Sequence, residues 1–234
     1  MNAIFKREMG SYFFSPIGYA VLALFYLASG YFFTASSLTA DSSSLTGTFN
    51  ALFTIVAFVI PIITMRLFSE DKKQKTDQAL LTAPVRLSSI VLGKYLAALT
   101  LFFFCISITL VYALIISAFT SPDWAAVSGN FIGIFLLGSA LIAIGMFLSA
   151  LTESQMVAAI SNVAIGIFTI VMDSIISKIS VKFLADILKN LSFTGHYQSF
   201  PLGMIKLEDI IFFLSVCGVF IFLTTRVFEK KRWS

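Results

Sequence analysis

Residues 88–119 read SSIVLGKYLAALTLFFFCISITLVYALIISAF, with Lys94 as the single charged side chain. A helix needs roughly 20 apolar residues to cross a hydrocarbon core of about 30 Å, and this run is longer than that. It is predicted to be a membrane-spanning helix whose first turns lie in the interface, with Lys94 snorkelling toward water. Five more apolar stretches accompany it, over residues 17–37, 48–66, 128–151, 155–173 and 208–227. Six spans in 234 residues leave little chain for a soluble domain, so residues 1–234 are read as one transmembrane domain. The predicted fold class is all-α, a polytopic integral membrane protein. Hydrophobic residues make up 58% and charged residues 12% of the chain, against about 25% charged in soluble domains.

The segments between the spans give the orientation. Lys6 and Arg7 precede the first span; Arg66, Lys72, Lys73, Lys75 and Arg86 lie between the second and third; Arg226, Lys230, Lys231 and Arg232 follow the sixth. Positively charged connections stay in the cytoplasm, which puts these three segments, and both termini, on that side. The 38–47 and 120–127 connections contain no Lys or Arg and are expected outside. The 174–207 connection runs against this pattern, with Lys178, Lys182, Lys189 and Lys206. Its apolar stripe of Ile176, Phe183, Leu184, Ile187, Leu188 and Leu191 predicts one or two short helices dipping into the outer leaflet or capping a cavity; a packed surface helix is the alternative. The net charge of +4 is spread between spans rather than gathered in a patch, so no nucleic-acid partner is expected. Before the first span, Phe5, Met9, Tyr12 and Phe13 recur at helical spacing, with Lys6, Arg7 and Glu8 on other faces. Residues 2–14 therefore read as an elbow helix lying in the interface. Pro61 sits inside the second span, where a kink is expected.

The spans carry almost no ionisable group at mid-depth. Asp173 and Asp209 fall at helix ends and Glu153 in the 152–154 turn, which argues against an ion-coupled transporter. HExxH, GxSxG and P-loop patterns are absent, so no catalytic, metal-binding or cofactor-binding residues are assigned and an energy source is expected in a partner. Cys105 and Cys217 lie in apolar spans as packing residues. His196 stands alone in a loop and is given no role. Ala158, Asn162 and Gly166 recur at i, i+4 and i+8 in the fifth span, as do Gly145 and Ser149 in the fourth. Such small-residue spacing suits close helix packing. Asn162 either bonds to a neighbouring helix or lines a pathway.

The stretch from Met65, MRLFSEDKKQKTDQALLTAPVRLSSIVLGK, is charged, turns apolar at Leu80 and Leu81, and breaks at Pro84. A short helix is predicted over 69–82, with Ser69 as N-cap and Glu70 and Asp71 at the positive end of its dipole. Its apolar end suits docking on a partner; a solvated connector is the alternative. Three runs, FKREMGSYFFSPIGY (5–19), MRLFSEDKKQKTDQALLTAPV (65–85) with IVLGKYL (90–96), and the C-terminal run from Gly195 through Lys231 that includes YQSFPLGMIKLEDIIFFLS, resemble the permease subunits of type-2 ABC (ABC-2) exporters. The gliding-motility-associated permease group is the closest in pattern. The chain departs from the family pattern at Lys75, where Gly is usual, and at Gln78, where Glu is usual.

The resemblance implies six spans, an elbow helix, a cytoplasmic coupling helix and short outer helices before the last span. It implies a second permease subunit, the same or a related chain, and an ATP-binding cassette ATPase subunit that carries ATP and Mg. On that pattern Glu70, Lys73, Thr76, Leu80 and Leu81 contact the ATPase, while Arg7 and Glu8 pair with the coupling connection. The implied location is the cytoplasmic membrane of a prokaryote, and the implied function is export. The alternative is a non-transporting component that transmits ATPase motion to another membrane protein or to an accessory protein on the outer side.

Overall fold

A computed structural model describes residues 2–38, 45–76, 86–176 and 188–233. Every regular element among them is helical: α1 (Asn2–Phe14), α2 (Pro16–Phe33) prolonged by a π turn (Thr34–Leu38), α3 (Thr46–Thr64), α4 (Ser69–Lys73), α5 (Leu87–Ser117), α6 (Trp124–Leu151), α7 (Gln155–Ile176), α8 (Phe193–Tyr197), a 3-10 turn (Phe200–Leu202) and α9 (Leu207–Trp233). Six of them, α2, α3, α5, α6, α7 and α9, are long and apolar enough to cross a membrane. Helices are the form such a chain takes in lipid, because each backbone N–H and C=O is satisfied within its own segment.

α6 is the axis of the bundle. About 72% of its apolar stretch is buried within the chain, against 22% for α7 and 17% for α9. Its broadest contacts are with α9 and α3. The outer faces of α7 and α9 leave Ile160, Phe168, Ile211 and Phe222 exposed, as lipid-facing side chains should be. Lipid tails are as apolar as Leu, so helices here associate by close packing and a few interhelical hydrogen bonds. Gly145 on α6 illustrates the first: a Cβ there would lie 2.1 Å from Asn162 Nδ2 on α7 and 2.5 Å from Thr64 Oγ1 on α3. Gly166 on α7 illustrates it again, for a Cβ would fall 2.9 Å from the Ala57 carbonyl oxygen on α3. Pro61, inside α3, has no N–H to donate to that carbonyl, and α7 approaches at the same point.

Hydrogen bonds and stacked rings join the other helices. The Tyr112 hydroxyl of α5 meets Ser29 Oγ of α2 at 2.9 Å, and the Tyr112 ring stacks on Phe33 at 4.4 Å. At the end away from α1, Tyr197 donates to Asn130 Oδ1 of α6 at 3.2 Å, and Thr194 donates to the Thr169 carbonyl of α7 at 3.0 Å. Burial holds the Tyr197 phenol above its ordinary pKa. His196 is not the lone loop residue expected. Its Nδ1 lies 2.7 Å from Asp209 Oδ1, its Nε2 lies 3.1 Å from the Asn190 carbonyl, and its ring stacks on Phe212 at 4.1 Å. It fastens α8 to the first turns of α9. Of the outer apolar stripe, Phe183, Leu184 and Ile187 lie outside the described residues.

Candidate functional site

The polar chemistry of the bundle gathers where α1, α4 and the start of α5 meet. α3 ends at Thr64 and the chain turns through Met65–Phe68 into α4. The turn frees backbone donors, and α6 supplies their acceptor. Buried Ser149 Oγ receives Phe68 N–H at 3.1 Å and Ser69 N–H at 3.0 Å, and donates to the Met65 carbonyl at 3.2 Å. Lys72 Nζ donates to the Ala150 carbonyl at the end of α6. Ser69 is therefore not an N-cap. Phe68 holds that position, and the Ser69 hydroxyl, buried, donates back to the Met65 carbonyl.

The helix expected over 69–82 is described over Ser69–Lys73. Gln74 caps it, and Lys75 then takes a left-handed φ of 57°, a conformation in which a Cβ is unfavourable.

Six charged side chains surround this corner: Arg7 and Glu8 from α1, Arg66, Glu70 and Asp71 from the α3–α4 segment, and Lys94 from α5. Three are cations and three are anions. Lys94 was expected to snorkel, but it turns inward and is 1% exposed. α1 packs across the first turns of α5, which closes the route to water. Lys94 Nζ lies 3.0 Å from Glu8 Oε1 and 2.8 Å from Asp71 Oδ2, with the Phe68 ring 5.1 Å away. Arg7 contacts Glu8 at 2.6 Å and Asp71 at 3.7 Å. Arg66 grips Glu70 with two bonds, of 2.5 and 2.8 Å.

Burial opposes the charge on Arg7, but the Glu8 hydrogen bond, the Glu8 charge and Asp71 outweigh it and hold the guanidinium above its ordinary pKa. Burial, reinforced by the Glu8 carboxylate and partly offset by Arg66, raises the Tyr12 phenol. Tyr12 donates to the Ile63 carbonyl at 3.0 Å, tying α1 to α3.

The candidates read from the sequence divide accordingly. Arg7 and Glu8 meet Asp71 and Lys94. Glu70 is committed to Arg66 and accepts from Gln74 at 3.2 Å. Thr76, exposed, folds back on Asp71 through bonds of 3.2 and 3.1 Å. Lys73 points outward beside an open groove of about 410 Å³, lined by Glu153, Ser154, Gln155 and Met156. Leu80 and Leu81 lie outside the described residues. Ala158, Asn162 and Gly166 are buried along α7, and Asn162 Nδ2 donates to Thr64 Oγ1 at 2.9 Å.

Sequence reading passed over Lys94, Asp71 and Ser149 as parts of this corner. The signal for Lys94 was its isolation in an apolar run, and the signal for Asp71 and Glu8 was two acids set among bases.

Among the described residues no group of three or more His, Cys, Asp or Glu side chains is arranged to hold a metal ion. The arrangement fixes a short charged segment, with an exposed tip, to three helices of a membrane bundle. No curated protein matches the chain. The sequence profile described as ABC-2 family transporter protein matches residues 6–233, nearly the whole chain and all six membrane helices, and the chain is a membrane-embedded member of the ABC-2 transporter family, built as a permease subunit.

Proposed function

We propose that this permease works in the cytoplasmic membrane of a prokaryote, with both termini inside, and couples ATP hydrolysis by a separate ATP-binding cassette subunit to export. One observation carries the reading. The root of α4 is held by Ser149, Lys72 and Lys94, while its tip, from Lys73 through Thr76, is exposed. A segment built this way moves its parent helices when its tip is pushed. The ATPase docks on that tip, with Lys73 and Thr76 as contacts and Leu80 and Leu81 as the apolar part of the footprint. Glu70 supports the tip through Arg66, and Arg7 and Glu8 brace it from the elbow helix.

ATP and Mg belong to the ATPase. A second permease, the same or a related chain, completes the membrane unit, and the sequence runs at 5–19, 65–85 with 90–96, and 195–231 favour the gliding-motility-associated group. Absence of charge at mid-depth favours an amphipathic or apolar cargo such as a lipid, a peptide or a lipid-linked glycan. A complex that only passes force to an outer accessory protein would use the same basal corner.

The test is capture of the co-expressed ATPase by the purified permease, followed by its ATPase rate in lipid nanodiscs. Lys73→Glu combined with Leu80→Asp and Leu81→Asp should abolish capture. Full capture with a wild-type rate in that variant would overturn the reading.

A further inference from the structure

Lys94 has no part in the contacts assigned above to the ATPase, and it does not reach solvent. Its ammonium, 1% exposed, is shared by carboxylates from two separate segments, Glu8 of α1 at 3.0 Å and Asp71 of α4 at 2.8 Å. A charge taken out of water is tolerated only when well paired, and removing one partner of a buried pair is strongly destabilising. The two carboxylates are held together by cations. Their link runs through Lys94, with Arg7 bridging the same two acids from the exposed side, at 2.6 and 3.7 Å. The Phe68 ring sits over the ammonium at 5.1 Å and against Phe228 of α9 at 4.5 Å, so the lysine stands where four helices converge.

We infer that Lys94 is the positioning residue that locks the elbow helix, the α4 segment and the first turns of α5 into one moving body, so that force received at α4 is delivered to α1 and α5 together. This rests on the reading of α4 as the docking segment. Without Lys94 a push at the tip would bend α4 about its Ser149 anchor and leave α1 behind. The ion pairs suit this task because they join segments that share little apolar surface: α1 packs on α5 and α2, and α4 on α6 and α7.

The test is amide hydrogen exchange of the full-length permease in lipid nanodiscs, read on peptides covering 2–14 and 69–76, with α6 as internal reference. Lys94→Met, close in shape and uncharged, should speed exchange about tenfold or more in both peptides and leave α6 unchanged. Glu8→Gln should loosen 2–14 alone, and Asp71→Asn should loosen 69–76 alone. Lys94→Arg, which keeps the charge and can reach both acids, should restore both to within about twofold of wild type.

The inference is overturned if Lys94→Met leaves both peptides near wild type, if either carboxylate variant loosens both peptides equally, or if Lys94→Arg behaves as Lys94→Met. Should Lys94→Met fail to fold, the two carboxylate variants decide alone. A second arm adds the captured ATPase and a non-hydrolysable ATP analogue. Nucleotide should change exchange in both peptides of wild type and only in 69–76 of Lys94→Met. A wild-type response confined to 69–76 would overturn the transfer. Failure of the wild-type permease to capture the ATPase would remove the docking reading, while the first arm would still judge the lock.

Discussion

At the scale of single residues, the basal corner depends on side chains that replace missing backbone partners. Ser149 is the plainest case. Its hydroxyl satisfies two N–H groups of the α3–α4 turn and caps the Met65 carbonyl. Ser149→Ala leaves those donors buried and unpaired, a loss of about 1–3 kcal/mol. The expected result is a lower thermal unfolding midpoint in detergent together with faster exchange at 68–69; an unchanged midpoint and unchanged exchange would contradict the assignment.

Lys75 is the opposite case. The family pattern has Gly where this chain has Lys, and the structure gives the reason: φ is 57° there. A left-handed residue with a Cβ costs roughly 1–2 kcal/mol, and glycine gives back part of that through its freer unfolded chain. Lys75→Gly should therefore stabilise the permease by about 0.5–1 kcal/mol, read as a rise in the unfolding midpoint. A fall would mean that the Lys75 side chain makes a contact worth more than the strain.

At the scale of elements, what could be read in advance followed the range of the interaction. The six membrane helices were legible because each is a local property, some 20 apolar residues in a row. The helix over 2–14 was legible for the same reason. Partnerships were not. Lys94 looked like an interfacial lysine because its segment gives no hint of Glu8, 86 positions away in sequence, and burial by α1 is a tertiary fact. His196 looked solitary because Asp209 and Phe212 reach it only once α8 folds back on α9. Small residues were legible as a pattern but not by direction: Gly166 meets the Ala57 carbonyl that Pro61 leaves without its helical donor, a match between two helices that neither helix displays alone.

The α3–α6–α7 junction gives the element-scale prediction. Gly145→Val inserts a side chain where Asn162 and Thr64 already touch. Overpacking and a broken Asn162–Thr64 bond should together cost about 2–4 kcal/mol. Loss of monodisperse protein on gel filtration, or a midpoint lowered by several degrees, would register it; a variant as stable as wild type would mean that α6, α3 and α7 are not in close contact there.

At the scale of the whole molecule, the number of spans and most of the placed charge support the proposed orientation, the four Lys of the 174–207 connection running against it. Six crossings return the C-terminal end of α9 to the side of α1, and the contact between Phe228 and Phe68 joins that end to the α4 turn. The same end of the bundle holds Arg7, Arg66, Lys72, Lys73, Lys75 and Lys94, together with the basic last turn of α9. Basic segments are retained in the cytoplasm. The far end opens instead with Ser121 and Asp123, beside a cleft of about 400 Å³ between α3, α6 and the 3-10 turn. Gln74 and Ser121 are both exposed, and the native thiols Cys105 and Cys217 are free and buried, so single introduced cysteines can report the two faces.

In intact cells Ser121→Cys should react with a membrane-impermeant maleimide, and Gln74→Cys should react only after permeabilisation. The reverse pattern would put the α4 tip outside, beyond the reach of any cytoplasmic ATPase. Equal labelling of both would break the six-span topology itself. Only the expected pattern lets a push on α4 travel through Lys94 and Ser149 into helices that cross the whole bilayer.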